Sequence, residues 1–153
     1  MKRLVVFFLV LIVATSVQTS PALEEQDSRD LETHLWALED AYVTAYKNAD
    51  HDSILALMHD QFIGWPDSEE RPTAYLQVAG FLREKYGTPG TWDFRIDRAG
   101  IRIRGDVAIT HYVLIATVND AENSSQAQVT RITHTWIRED SGWKILAGMS
   151  NVE

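Results

Sequence analysis

The stretch QVTRITHTWIREDSGWKILAGMS, residues 128–150, has the pattern of a β-hairpin. Apolar or aromatic side chains alternate with polar ones on both sides of Asp140-Ser141-Gly142, a sequence typical of a tight turn. The pattern predicts antiparallel strands over Gln128 to Arg138 and over Trp143 to Ser150. The last part of the chain is therefore β structure.

Two more strands are predicted before this hairpin. Apolar residues alternate with charged ones from position 92 onward. They stand at even positions at Trp92, Phe94 and Ile96 but at odd positions at Ile101 and Ile103, so the alternation changes phase halfway. A bulge near Arg98-Ala99-Gly100 would join the two halves into one strand. Gly105-Asp106 then turns the chain into a strand over Val107 to Val118, and a polar loop over Asn119 to Ser125 follows.

The first part of the chain has helical periodicity. From Ser28 to Asn48, apolar residues recur every three or four positions, with Glu32, Glu39, Asp40 and Lys47 between them, which predicts a long amphipathic helix. Asp50 is the predicted N-cap of a short second helix that ends near His59-Asp60. A short strand over Gln61 to Trp65 and a third helix from Pro72 to about Tyr86 complete this part.

Helices followed by hairpin-linked strands indicate an α+β fold, with three N-terminal helices packed on a curved, mostly antiparallel sheet. The 153 residues, with 45% hydrophobic and 24% charged side chains, are enough for one globular domain. The sequence therefore predicts a single domain over residues 23–153.

Residues 1–22 resemble a secretory signal peptide. Met1-Lys2-Arg3 precedes an apolar run over Leu4 to Ala14, and small residues in Ser20-Pro21-Ala22 favour cleavage after Ala22. Ala14-Thr15-Ser16 offers an earlier cleavage site, and an uncleaved membrane tether is the alternative. We expect a secreted or periplasmic protein with no membrane contact after cleavage.

Charge and cysteine content exclude several classes of function. The formal charge is −8, and it becomes −10 when a leader holding Lys2 and Arg3 is removed. Nucleic acids and anionic bilayers need clustered Lys and Arg, so neither is an expected partner. The chain has no cysteine, which excludes disulfides and thiolate chemistry.

Two stretches resemble the nuclear transport factor 2-like superfamily, in its SnoaL-like branch. Ala41 to Ile54 is similar to its helix-turn-helix opening, and Thr135 to Ile145 is similar to its final hairpin of the form T-x-W-x-x-x-x-G-x-W-x-I. The resemblance implies a cone-shaped fold, in which the sheet wraps around the long helix and leaves a pocket between them. The superfamily includes isomerases, cyclases, hydratases and assembly domains, so the fold alone does not indicate a function.

The resemblance implies a role for Tyr42. Steroid isomerases of this superfamily place at this position a tyrosine that donates a hydrogen bond to the substrate oxyanion, although Tyr42 also suits simple pocket lining. Their carboxylate base precedes a proline in the strand after the second helix, and Trp65 before Pro66 occupies that place here. Tryptophan cannot accept a proton, which argues against isomerase chemistry by that route.

The strand alternation places His134 on the same face as Trp136. His134 is either a general base near neutral pH or a core histidine tied to Tyr112 or a neighbouring strand. Pocket lining by Tyr42, Trp65, Tyr112, His134 and Trp136 would favour a small neutral, apolar or aromatic ligand. The sequence shows no zinc-like histidine spacing and no nucleotide or dinucleotide motif, so no metal or cofactor is expected.

Two hypotheses of function follow. In the first, an exported protein binds a small molecule and, if it is an enzyme, transfers a proton without a cofactor, with His134 as base and Tyr42 or Tyr112 as donor. In the second, the chain is a non-catalytic assembly domain. In either case Ile109, Val113 and Ile115 on the convex sheet face predict a homodimer.

Overall fold

The computed structural model of the protein describes residues 21–85, 88–119 and 125–153 and confirms the α+β fold class. Its elements are α1 (Pro21–Lys47), α2 (His51–Leu57), β1 (Met58–Trp65), β2 (Thr73–Ala74), α3 (Tyr75–Lys85), β3 (Trp92–Arg104), β4 (Val107–Asn119), β5 (Ser125–Glu139) and β6 (Gly142–Val152). Residues 1–20 of the predicted 1–22 leader and the middle of the predicted 119–125 loop lie outside the described residues.

The strands form one sheet in the order β2-β1-β6-β5-β4-β3. All neighbours are antiparallel except β1 and β6, which are parallel, and the three predicted hairpin strand pairs are confirmed. The register of β3 against β4 shifts between Arg98 and Gly100, so the predicted bulge is present where the apolar phase changes.

Several predicted boundaries were wrong. α1 begins at Pro21 rather than Ser28, because its exposed first turns are held by local side-chain pairs such as that of Arg29 with Glu25 at 2.9 Å. β1 begins at Met58 and takes in residues predicted to end a helix. α3 begins at Tyr75 rather than Pro72, after the unpredicted strand β2. The amide of Ala74 donates to Gln77 Oε1 at this helix start, at 2.8 Å.

Asp50 caps α2 as the sequence predicts. Its Oδ1 accepts from the backbone amide of Ser53 at 3.1 Å, and its Oδ2 accepts from the Ser53 hydroxyl at 2.7 Å. These hydrogen bonds lower the pKa of the Asp50 carboxyl. The turn before the cap is sharp, since Ala49 has a φ of 53°.

The core lies between α1 and the inner face of the sheet. Leu35, Trp36 and Val43 on α1 are buried, and so are Tyr112 on β4 and Trp136 on β5. No helix within the described residues is long and apolar enough to span a membrane. The buried side of α1 therefore faces the same strands that carry the predicted site residues.

Candidate functional site

Glu39 is a fully buried carboxylate at the centre of the interface between α1 and the sheet. Its exposure is 0%, and it lies one helical turn from Leu35 and one from Val43, both of which are buried. The helical pattern assigns Glu39 to the polar positions between the apolar ones, so its burial is not predicted. The signal was available, because Leu35 and Val43 flank Glu39 at i−4 and i+4 on one helix face.

Three side chains of the sheet donate hydrogen bonds to this carboxylate. The hydroxyl of Thr110 and the indole N–H of Trp136 donate to Oε1 at 2.5 and 2.8 Å. Nδ1 of His134 lies 2.8 Å from Oε2. Thr110 and His134 are paired residues of β4 and β5, so the backbone register brings the donors together. Burying a charge without partners costs a large free energy, and the three donors offset this cost for Glu39.

The carboxyl of Glu39 has a lowered pKa. Burial has the largest single effect and by itself would raise the pKa. The electrostatic attraction to His134 and the hydrogen bonds from His134, Thr110 and Trp136 lower the pKa, and together they exceed the effect of burial. Glu39 is therefore a carboxylate at neutral pH. A carboxylate cannot donate, so the hydrogen at its bond with the imidazole lies on His134 Nδ1.

The imidazole of His134 lies among three aromatic rings. Its ring centroid is 4.9 Å from that of Tyr42, 5.9 Å from that of Tyr112 and 6.2 Å from that of Trp136, all at steep interplanar angles. His134 is 5% exposed. The predicted convergence of His134 with two tyrosines on the inner face is therefore present in the structure.

Gly148 on β6 lies against the edge of this imidazole. It is the residue paired with His134 in the β5–β6 register. A Cβ at position 148 would lie 2.8 Å from Cδ2 of His134 and 3.3 Å from its Nε2. A larger residue here would therefore push the imidazole away from its present position.

The hydroxyl of Tyr112 is buried and makes no hydrogen bond of normal length and angle within the part of the chain that the structure describes. The pKa of Tyr112 is raised well above its ordinary value, first by burial, then by the negative charge of Glu39 and then by the proximity of the hydroxyl to that carboxylate as a hydrogen-bond acceptor. Burial also raises the pKa of Tyr42, whose hydroxyl lies 3.3 Å from that of Tyr46. Both phenols are thus neutral, and the hydroxyl of Tyr42 donates to that of Tyr46.

The two predicted tryptophans have different surroundings. Trp136 is 0% exposed and uses its N–H to support Glu39. Trp65 is 48% exposed, and its N–H donates to the backbone oxygen of Glu69. The structure does not bring Trp65 into the cluster around His134, because Phe62 and Gly64 take the buried positions of β1 and Trp65 follows them on the opposite face.

An open groove lined by residues of α1 and α2 has a volume of about 530 Å³ and shares no residue with this cluster. Its lining includes Asp40, Thr44, Asn48, Asp50 and Ser53, and it lies between α1 and α2. Across residues 21–85, 88–119 and 125–153, no group of three histidine or acidic side chains could hold a metal ion. The cluster around His134 is therefore the site that the chemistry favours.

A family model described as a SnoaL-like domain matches residues 36–150. No curated protein sequence matches the chain.

Solved structures share the fold. An NTF2-like protein of unknown function from Pseudomonas putida KT2440 is 16% identical, with 80% of this chain and 87% of that chain covered and a TM-score of 0.70. The association domain of C. elegans CaMKII is 13% identical, with 84% of this chain and 98% of that chain covered and a TM-score of 0.66. A putative ketosteroid isomerase from Parabacteroides distasonis is 17% identical, with 78% of this chain and 85% of that chain covered and a TM-score of 0.65.

The position of Gly148 gives the first testable prediction. We expect Gly148→Ala to lower the free energy of unfolding by about 1–3 kcal/mol, because the new methyl group forces the imidazole off Glu39. Gly80→Ala is the matched control. A Cβ at position 80 in α3 meets nothing within 4 Å, so this change should stabilise by about 0.5–1 kcal/mol through helix propensity. Urea unfolding measures both, and an equally stable Gly148→Ala protein would contradict this account of the packing.

Proposed function

We propose that this chain, which belongs to the SnoaL-like domain family of the nuclear transport factor 2-like superfamily, binds a small neutral molecule between α1 and the inner face of its sheet. The buried hydroxyl of Tyr112, which makes no hydrogen bond of normal geometry to the described residues, is the observation that carries the proposal. A buried hydroxyl without a partner costs about 1–3 kcal/mol. A ligand oxygen that accepts from Tyr112 would recover this free energy.

The charges around the cluster favour a neutral ligand. Glu39 is the buried charge beside the two phenols, and its carboxylate would repel an anion. The basic residues of β5 are exposed and already paired, Arg131 with Glu153 and Arg138 with Asp106. They offer no counter-charge on the inner face.

Apolar side chains next to Tyr112 would contact the remainder of the ligand. Phe94, Leu114 and Ile132 pack in one cluster with Tyr112 and are only partly buried. Aromatic and aliphatic surface around a few polar groups is typical of small-molecule sites. The ligand is therefore expected to be largely apolar or aromatic, with one or two oxygen atoms. The name of the P. distasonis protein, a putative ketosteroid isomerase, fits a ligand of this kind.

The second candidate function is assembly, and the exposed apolar residues of the outer sheet face favour it. Ile63, Trp65, Ile109 and Met149 are between 39% and 57% exposed. Trp65 pairs with Met149 in the β1–β6 register, so part of this surface is continuous across strands. Such surface in water indicates a protein interface. We propose that the chain forms a homodimer through this face. The association domain of C. elegans CaMKII shares the fold.

Export is also part of the proposal. We expect residues 1–22 to be absent from the mature protein, because Met1-Lys2-Arg3, the apolar run over Leu4 to Ala14 and the small residues before Leu23 fit a cleaved signal. The intact mass of the exported protein measures this. A mass that retains Met1 would indicate a tethered protein.

Ligand binding is tested at Tyr112. We expect Tyr112→Phe to weaken binding of a neutral aromatic alcohol such as 2-naphthol about tenfold, through the loss of one hydrogen bond. The same change should leave the unfolding free energy equal or raise it, since it removes an unpartnered buried hydroxyl. Tyr75→Phe, in the other hydrophobic cluster, is the control and should leave the affinity unchanged. Calorimetric titration and thermal melts measure the two effects, and unchanged affinity in Tyr112→Phe would count against this site.

The homodimer is tested at Ile109. We expect light scattering to give a dimer mass for the wild type and a monomer mass for Ile109→Lys, because a charge at the centre of an apolar interface is costly to bury. Leu76→Lys is the control, since Leu76 is 82% exposed on α3, away from the sheet face. A wild-type protein that stays monomeric at every concentration would remove the dimer and weaken the assembly candidate.

A further inference from the structure

β3 forms one edge of the sheet. The strand order β2-β1-β6-β5-β4-β3 ends at β3, which pairs with β4 on one side only within the described residues. In an antiparallel pair, every second residue turns its backbone N–H and C=O groups away from the partner strand. The 13 residues Trp92–Arg104 therefore present a row of backbone groups to which another extended chain can bind.

The two edges of the sheet differ in length. β2 at the opposite edge has two residues, Thr73–Ala74, which is too short to guide an added strand. β3 is long and contains no proline, a residue that prevents pairing at a strand edge. Its charged side chains and the bulge near Gly100 limit pairing with unrelated chains, so a partner has to match its charges and its shape.

β3 is basic, although the protein is acidic. Four arginines and two aspartates give the strand a net charge of +2, whereas the whole chain carries −8. Part of the positive charge is neutralised within the chain, since Arg95 lies 2.8 Å from Asp97 and Arg98 lies 3.1 Å from Asp40 on α1. These two pairs belong to the half of β3 that precedes the bulge.

Arg102 and Arg104, in the half after the bulge, have no acidic partner among the described residues. Arg102 donates to the backbone oxygen of Ile101 at 3.1 Å, and Arg104 makes neither a hydrogen bond nor an ion pair there. Both side chains are exposed, and they lie on the outer face because they pair with Ile109 and Val107 of β4. A chain added at this edge therefore meets two unpaired positive charges on one face.

The inner face of the same half-strand is apolar and incompletely covered. Ile101 and Ile103 alternate with the two arginines and pack against the main hydrophobic cluster, but both are only partly buried. Their cross-strand partners on β4, Thr110 and Ala108, are 0% exposed, because β4 has a strand on each side. A strand added beside β3 would cover the remaining apolar surface of the two isoleucines.

We propose that the edge of β3 from Gly100 to Arg104 binds, by strand addition, an extended acidic peptide in which acidic residues alternate with apolar ones. The acidic side chains pair with the two arginines on the outer face, and the apolar side chains lie beside the two isoleucines on the inner face. Backbone hydrogen bonds supply affinity, and the alternation fixes the register. This surface is separate from the ligand site and from the outer sheet face, so the inference does not depend on the proposed function.

The charges favour an acidic peptide over a second copy of this chain. Pairing β3 with β3 of another copy would bring together two strands that each have a net charge of +2. Like charges on adjacent strands destabilise their pairing, whereas opposite charges stabilise it. An acidic strand neutralises Arg102 and Arg104 and leaves the pairs of Arg95 and Arg98 in place.

The probe for this proposal is the peptide Ac-Glu-Val-Glu-Val-Glu-Val-amide. Calorimetry gives its affinity, and ¹H–¹⁵N NMR of the labelled protein gives the position at which it binds. We expect binding with the largest amide shift changes in residues 100–104, and an affinity that falls as the salt concentration rises. A peptide with lysine in place of each glutamate should bind at least about tenfold more weakly.

The double variant Arg102→Glu/Arg104→Glu tests the two charges. We expect it to lose at least about tenfold in affinity for the acidic peptide, because both attractive charges become repulsive. Arg71→Glu/Arg83→Glu is the matched control and should keep the wild-type affinity. It makes the same change of net charge at two exposed positions, before β2 and on α3, and α3 packs against β1 and β2 near the opposite edge. Thermal melts show whether both variants fold.

N-methylation of the peptide tests the backbone hydrogen bonds. Methyl groups on alternate amides in one register remove the N–H donors that face β3, and in the other register they remove those that face away. We expect one of the two methylated peptides to lose at least about tenfold in affinity and the other to keep it.

Equal binding of both methylated peptides, or an unchanged affinity in Arg102→Glu/Arg104→Glu, would overturn strand addition at this edge. So would failure of the wild-type protein to bind the acidic peptide. Shift changes in residues 100–104 that appear when the protein concentration is raised without peptide would assign the edge to a second copy and also overturn the proposal. None of these outcomes affects the ligand site, which is tested at Tyr112.

Discussion

A buried carboxylate must be matched by donors, and this constraint governs the centre of the protein. Glu39 is 0% exposed, and the three hydrogen bonds it accepts come from two adjacent strands. Leaving a buried acceptor without its donor typically costs about 1–3 kcal/mol, and more when the acceptor is charged. The long helix can therefore pack on the sheet only in the position and rotation that bring Glu39 to Thr110, His134 and Trp136.

This constraint also orders the surroundings of the site. Once Nδ1 of His134 is held by Glu39, the other edge of the ring must face β6, and Gly148 is the residue that leaves room for it. The rings of Tyr42 and Tyr112 then close around the imidazole. Both edges of the imidazole are thus held by the fold, one by the bond to Glu39 and the other by the close approach of Gly148.

The sequence predicted the sheet better than the site, for a physical reason. Strand alternation and turn residues are local, and they gave the hairpins and the bulge near Arg98 correctly. The partners of Glu39 lie 71, 95 and 97 residues further along the chain, so no local pattern indicates them, and a charged residue in an amphipathic helix is normally assigned to solvent. His134 and Tyr112 were found because alternation places them on the inner face. Trp65 lies at an exposed position of β1, because a family resemblance does not fix which side of a strand a residue takes.

The tautomer of His134 shows whether its bond to Glu39 organises the centre of the protein. Nitrogen-15 NMR of histidine-labelled protein, at a pH where the imidazole is neutral, distinguishes a protonated nitrogen from a bare one by its chemical shift and its one-bond coupling to hydrogen. We expect a proton on Nδ1 and a bare Nε2 in the wild-type protein, with the Nδ1 hydrogen protected from exchange by its bond to Glu39. A proton on Nε2 with a bare Nδ1 would show that this hydrogen bond is absent, since a buried carboxylate cannot face an unprotonated nitrogen.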